Sequence, residues 1–202
     1  MDWKKMYEEA HEKITSHFFR TWEGAEGKIT TQFKVSLLEQ AKELIRKKDA
    51  AAAKEKLLEA ISYPENLGEG RLEGTKDNHI YYNLGLCYEM LGEEKEANEC
   101  FKKATLGAME VAGMMYYYDQ PADMILYQGL AFDKLGDVKN SNSRYYKLID
   151  YGQQHLNDKF KMDYFAVSMP DMSVFDADMD MKNKAHCSHQ NAILYRKNTK
   201  IQ

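Results

Sequence analysis

Asn78-His79-Ile80-Tyr81-Tyr82-Asn83-Leu84-Gly85-Leu86-Cys87-Tyr88-Glu89-Met90, then Leu91-Gly92-Glu93, then Glu94-Lys95-Glu96-Ala97-Asn98-Glu99-Cys100-Phe101-Lys102-Lys103-Ala104, is the stretch that decides the fold. Its apolar residues recur at helical steps on either side of Gly92, which reads as two helices joined by a tight turn. Gly85 and Ala97 are small, so the two helices can approach closely, and Leu84, Tyr88 and Phe101 fill the space around that contact. Ala104 leaves room for the first helix of a following unit. Gly92 stands where the first helix must stop, and glycine tolerates the left-handed cap.

This stretch resembles a tetratricopeptide repeat, a helix–turn–helix unit of about 34 residues. Tyr81 occupies the place usually held by tryptophan, and Leu84, Gly85, Tyr88, Ala97, Phe101 and Ala104 follow at the expected steps. Weaker copies flank it. In the first, Ala41, Leu44, Ala53, Leu57 and Ala60 take the places of Gly85, Tyr88, Ala97, Phe101 and Ala104; in the third, Gly129, Phe132, Ser141, Tyr145 and Leu148 do so, with Gly136 at the Gly92 place. Ala41, Gly85 and Gly129 are each 44 residues apart, a constant period that unrelated hairpins would not keep.

Composition agrees with a helical protein. The 202 residues are 44% hydrophobic and 30% charged, and three prolines leave long helices unobstructed. A net charge of -4 argues against a nucleic-acid footprint. No apolar run approaches the roughly 18 residues of a membrane span. The start, Met1-Asp2-Trp3-Lys4-Lys5, leads into a charged amphipathic stretch and not an apolar signal core. Cys87, Cys100 and Cys187 cannot all pair and lack C-x-x-C spacing, which points to a reduced, cytoplasmic setting.

The expected architecture is therefore all-α: an α-solenoid of tetratricopeptide-like hairpins with an N-terminal helix and a C-terminal capping helix, forming one domain over 1–202. The N-terminal helix is expected over 2–22, with Trp3, Met6, Tyr7, Ala10, Ile14, His17 and Phe18 on one stripe. Repeat 1 spans about 30–62, with Thr30 or Thr31 as its cap; repeat 2 spans about 78–118, repeat 3 about 121–156, and a C-terminal loop and cap 158–199. The connection Tyr63-Pro64-Glu65-Asn66-Leu67-Gly68-Glu69-Gly70 reads as a loop. A last helix is expected from Lys182 to about Lys197, either capping the array, as atypical terminal repeats do, or followed by more of it.

A second resemblance covers residues 57–196. Ser62-Tyr63-Pro64-Glu65-Asn66-Leu67-Gly68-Glu69-Gly70, Tyr127-Gln128-Gly129-Leu130-Ala131 and Asp163-Tyr164-Phe165-Ala166-Val167-Ser168-Met169-Pro170-Asp171 are similar to the C-terminal region of large bacterial proteins. In that family a β-sandwich domain of unknown function precedes tetratricopeptide repeats, often among carbohydrate-use proteins. No catalytic residue is carried over from the family's repeat region.

Candidate sites are few. His186 and His189 share a helix face beside Cys187, but no second Cys/His pair exists at zinc spacing. Asp176-Ala177-Asp178-Met179-Asp180 opens like a calcium loop, yet Met181 stands where glycine is needed and Cys187 where glutamate is needed, so it reads as an acidic turn before a helix. Cys187 has no predictable orienting partner for thiol chemistry, and Gly68-Glu69-Gly70 is too short for a dinucleotide loop. The methionines and the Tyr116–Tyr118 run read as core filling. No catalytic residue, cofactor or metal is expected.

The tetratricopeptide resemblance implies that the first helix of each pair lines a concave groove. The contact positions there are Leu38 and Lys42, Tyr82 and Leu86, and Leu126 and Leu130, with Glu89, Met90, Asp133 and Lys134 one turn on. Only Lys42 suits a carboxylate clamp, so the groove is apolar with an acidic edge. It is expected to be covered by a partner, by a second copy of the chain, or by residues 158–181 with Phe160, Tyr164, Phe165 and Phe175. The implied function is a non-catalytic protein-interaction scaffold with a protein or peptide partner, without nucleic acid or membrane binding. Two alternatives stand beside it: an accessory or dimerisation segment of a larger carbohydrate-related bacterial protein, and a small-molecule-binding helical domain.

Overall fold

The computed structural model describes residues 3–20, 27–71, 74–111, 122–159, 178 and 180–188. The fold is all-α: α1 (Trp3–Ser16), α2 (Lys28–Arg46), α3 (Ala50–Ala60), α4 (Asn78–Met90), α5 (Glu94–Ala104), α6 (Ala122–Lys134) and α7 (Val138–His155), with a 3-10 turn at Glu65–Leu67. Residues 180–188 are helical as well, and no strand occurs among the described residues. The chain divides into two compact units, Met1–Leu106 and Gly107–Gln202.

Three helix pairs, α2–α3, α4–α5 and α6–α7, are built on one turn. Lys48, Gly92 and Gly136 each adopt the left-handed conformation, with φ of 63°, 78° and 77°. The next amide then reaches back into the preceding helix: Asp49 N–H to Leu44 O, Glu93 N–H to Tyr88 O and Asp137 N–H to Phe132 O, each 2.9 Å. This bond satisfies carbonyls that the helix end would otherwise leave open. An acidic residue follows every time. Asp49 and Asp137 accept from the amides of Ala52 (3.2 Å) and Asn140 (3.1 Å), while Glu93 makes no such side-chain cap.

Within the pairs the small residues lie at the closest approaches. A methyl added to Gly85 would strike the Phe101 ring, with Cδ1 at 2.6 Å, and one added to Gly129 would meet Tyr145 Cε1 at 2.8 Å. In the first pair Ala41 and Leu57 take those places, both fully enclosed. The core of the N-terminal unit gathers Phe33, Leu37, Leu57, Leu67, Ile80 and Leu84, and α1 adds Ile14 to it.

The stretch after α3 is more than a loop. Leu67 is fully buried. Asn66 Nδ2 donates to the carbonyls of Ile14 and His17, both at 2.8 Å, and the Phe19 amide donates to Asn66 O at 2.8 Å. These bonds take over carbonyls at the end of α1, which accordingly stops at Ser16 and not at 22 as the apolar stripe suggests. Gly68 has φ 72°, and a Cβ there would lie 2.9 Å from the Phe19 carbonyl carbon, so only glycine lets the two backbones touch. Glu69 then receives the Gly27 amide (3.0 and 3.1 Å) and the Thr30 hydroxyl (3.1 Å). The start of α2 is therefore capped by a carboxylate from 42 residues downstream rather than by Thr30 or Thr31 alone.

In the C-terminal unit Ala122, Ile125 and Leu148 form the core, with Val111 and Leu126 packed against it. Gln128 is fully buried; it donates to Ala108 O at 3.2 Å and accepts from Arg144 Nε at 3.3 Å. Asp178 caps the helical stretch 180–188 by accepting from the Met181 amide at 2.9 Å, and Asn183 Nδ2 donates to His155 O at 2.8 Å at the end of α7. Residues 112–121, the aromatic cover with Phe160, Tyr164, Phe165 and Phe175, and the remainder of the expected last helix, including His189, lie outside the described residues.

Candidate functional site

The most unusual chemistry of the N-terminal unit lies where α2 meets the start of α4. Lys34 stands on the apolar stripe of α2, one place after Phe33 and one turn before Leu37 and Leu38, and its side chain is 10% exposed. An ammonium cannot stay there unpaired. Asp77, the residue preceding α4, turns its fully buried carboxylate away from the helix end: Oδ1 accepts from Lys34 Nζ at 3.1 Å and Oδ2 from Arg71 Nη2 at 3.1 Å. Lys34 also donates to the Tyr63 hydroxyl at 3.2 Å and lies 5.5 Å from the centre of that ring.

His79 sits in the first turn of α4 and is 7% exposed. Burial pushes its imidazole down to about 4, helped by the Lys34 and Lys42 charges and opposed by Asp77. The ring is thus neutral at physiological pH. Sequence reasoning passed over this cluster, although a lysine set within an apolar helical stripe is a readable sign of a buried partner.

The groove residues expected from the sequence fall into separate settings. Leu38 is 3% exposed and enclosed in the core, so it offers no surface. Lys42 is half-buried, with its ammonium 2.6 Å from Glu39. Tyr82 and Leu86 are half-buried on α4, and the Tyr82 ring lies 5.9 Å from that of Phe101 in the same helix pair. Glu89 is exposed, as is Met90. In the C-terminal unit Leu126 and Leu130 are half-buried and Lys134 exposed on α6, while Asp133 accepts from the Tyr145 hydroxyl at 2.8 Å and from Ser141.

A recess of about 730 Å³ opens beside α1 and α2, walled by Trp3, Tyr7, Gln40, Leu44 and Lys56 among others. Its charges pair locally, Arg46 with Glu43 at 2.7 Å and Lys4 with Glu8 at 3.6 Å.

The three thiols are free and buried. Burial pushes Cys87 up to about 11 and raises Cys100 and Cys187, which disfavours the thiolate that nucleophilic or metal chemistry requires. Cys187 lies 3.6 Å from Asn183 Oδ1, whereas His186 is exposed. Among the described residues no group of three or more His, Cys, Asp or Glu is arranged to hold a metal ion, and no helix is long and apolar enough to cross a membrane.

No protein-family model matches the chain, and no solved structure matches it significantly.

Proposed function

We propose that this chain is a non-catalytic protein-interaction scaffold whose helix pairs are tetratricopeptide-like repeats of a short α-solenoid in the cytoplasm. The observation that supports this most is the recurrence of one turn at 44-residue steps, Lys48, Gly92 and Gly136, with a small residue under a large one in each pair. A chain that repeats a packing unit presents equivalent helices side by side, and such arrays serve chiefly as extended contact surfaces. On α4, half-buried Tyr82 and Leu86 beside exposed Glu89 suit the apolar core and polar rim of a protein contact. The free thiols suit a reducing compartment.

The test is a comparative capture experiment. The full chain and its Leu86→Glu variant are immobilised in parallel, and bound proteins are identified. A partner retained by the parent and lost by the variant, with the melting temperature unchanged, supports the scaffold reading; identical captures from both refute it at this face.

A second reading, a small-molecule-binding helical domain, is favoured by the recess beside Trp3 and Tyr7, whose size falls within the usual range for ligand pockets. A ligand screen read by melting temperature separates the two, since ligands for this recess should lose their effect in Tyr7→Ala.

A further inference from the structure

We propose that the recess beside α1 and α2 is a binding site for a flat aromatic carboxylate, its ring set against Trp3, Tyr7 and Leu44 and its anionic group met by Lys47 and Lys56. The proposal rests on the small-molecule reading above and names the class of ligand.

The recess lies where one joint of the fold lacks the side chains that fill the next. α1 packs on α2 as α3 packs on α4, and the helix ends keep the 44-residue step: Ser16 to Ala60 for α1 and α3, Arg46 to Met90 for α2 and α4. Between α3 and α4, Lys54 lies 5.0 Å from the centre of the Tyr88 ring and bonds Glu93 at 3.3 Å. Counted back by 44, the places of Lys54 and Tyr88 hold Ala10 and Leu44. Ala10 has no side chain to reach across, and Leu44 is left as part of the wall of a recess of about 730 Å³. Trp3, 62% exposed, and half-buried Tyr7 form the wall from α1. Two aromatic rings and a leucine give a flat apolar body a surface to cover.

The polar groups around the recess are short of acceptors. Neither the Trp3 indole N–H nor the Tyr7 hydroxyl donates to a partner among the described residues. Of the carboxylates in the wall, Glu39 is held by Lys42 at 2.6 Å and Glu43 by Arg46 at 2.7 Å, while Glu8 pairs with Lys4 at 3.6 Å. Lys47 reaches Glu43 only as its second cation, at 3.3 Å, and Lys56 reaches Glu59 at 3.8 Å, where His11 already stands at 2.9 Å. Lys4, Arg46, Lys47 and Lys56 all line the recess, so its cations outnumber its carboxylates. A ligand carboxylate therefore meets donors whose own acceptors are shared, whereas a ligand cation would have to displace Lys42 or Arg46. Both lysines are partly exposed, so the preference is modest and falls as salt rises.

The experiment titrates the full chain with 2-naphthoate, its neutral amide and 2-naphthylmethylammonium at equal ionic strength, following the Trp3 indole N–H signal by NMR. The carboxylate should bind about fivefold more tightly than the amide, and the ammonium most weakly. In the double variant Lys47→Gln, Lys56→Gln the carboxylate should fall to the level of the amide, with amide binding and melting temperature unchanged. An amide that binds the parent as tightly as the carboxylate, or a carboxylate preference that survives loss of both lysines, overturns the proposal and leaves the small-molecule reading standing. A Trp3 signal that responds to none of the three probes overturns both.

Discussion

Replacing Gly85 by alanine sets two effects of known sign against each other. In a helix interior alanine is favoured over glycine by about 1 kcal/mol, so at an open site the change would stabilise α4. At Gly85 the new methyl would lie 2.6 Å from Phe101 Cδ1, and nearer still to Cε1, against an ordinary carbon contact of roughly 3.5–4.0 Å. Phe101 has little freedom to yield, being 3% exposed and backed by the Tyr82 ring at 5.9 Å. Overpacking of this kind costs about 1–3 kcal/mol, so the net result should be a loss of up to about 2 kcal/mol. Urea unfolding followed by far-UV circular dichroism reads the loss directly. Phe101→Leu in the same chain should relieve the clash, giving a favourable coupling of about 1 kcal/mol in a double-mutant cycle. A Gly85→Ala variant more stable than the parent by about the 1 kcal/mol of an open helix site would refute the close approach on which the α4–α5 packing is argued. Gly85→Leu should cost more than the alanine variant.

Other outcomes follow from the same geometry. Lys48 holds the left-handed turn conformation that Gly92 and Gly136 hold in the other two pairs, so Lys48→Gly should leave stability unchanged or raise it by up to about 1 kcal/mol, measured by the urea midpoint. Asp77→Ala leaves Lys34 buried without its carboxylate and should cost about 3–5 kcal/mol, whereas Lys34→Met combined with Asp77→Leu should recover most of that in the same assay. Asn66→Ala removes the donors to Ile14 O and His17 O and should cost about 1–3 kcal/mol, with the earliest loss of exchange protection in α1. Chelator treatment should leave helicity and melting temperature unchanged, and a fall in either would revive a metal site around His186, Cys187 and His189.

Much of the fold was legible because the responsible forces act locally. Helical steps of Leu84, Tyr88 and Phe101, the small Gly85 and Ala97, and Gly92 at the turn depend on neighbours within one hairpin, and a period of 44 repeats them. That Lys48 holds the place of Gly92 in the first pair came from the structure, where packing of the pair imposes the left-handed conformation that lysine would not choose by itself. What tertiary structure decided lies between segments distant in sequence. Propensity allows α1 to run on to 22; it ends at Ser16 because Asn66, some fifty residues away, takes its last carbonyls. Glu69 reads as a loop residue until it is seen capping α2. Leu38 has the spacing of a groove residue but is closed over by the core. Lys34, Asp77, Arg71 and His79 look unrelated along the chain, because a buried charge network is specified by where helices cross, and local periodicity carries no record of the crossing.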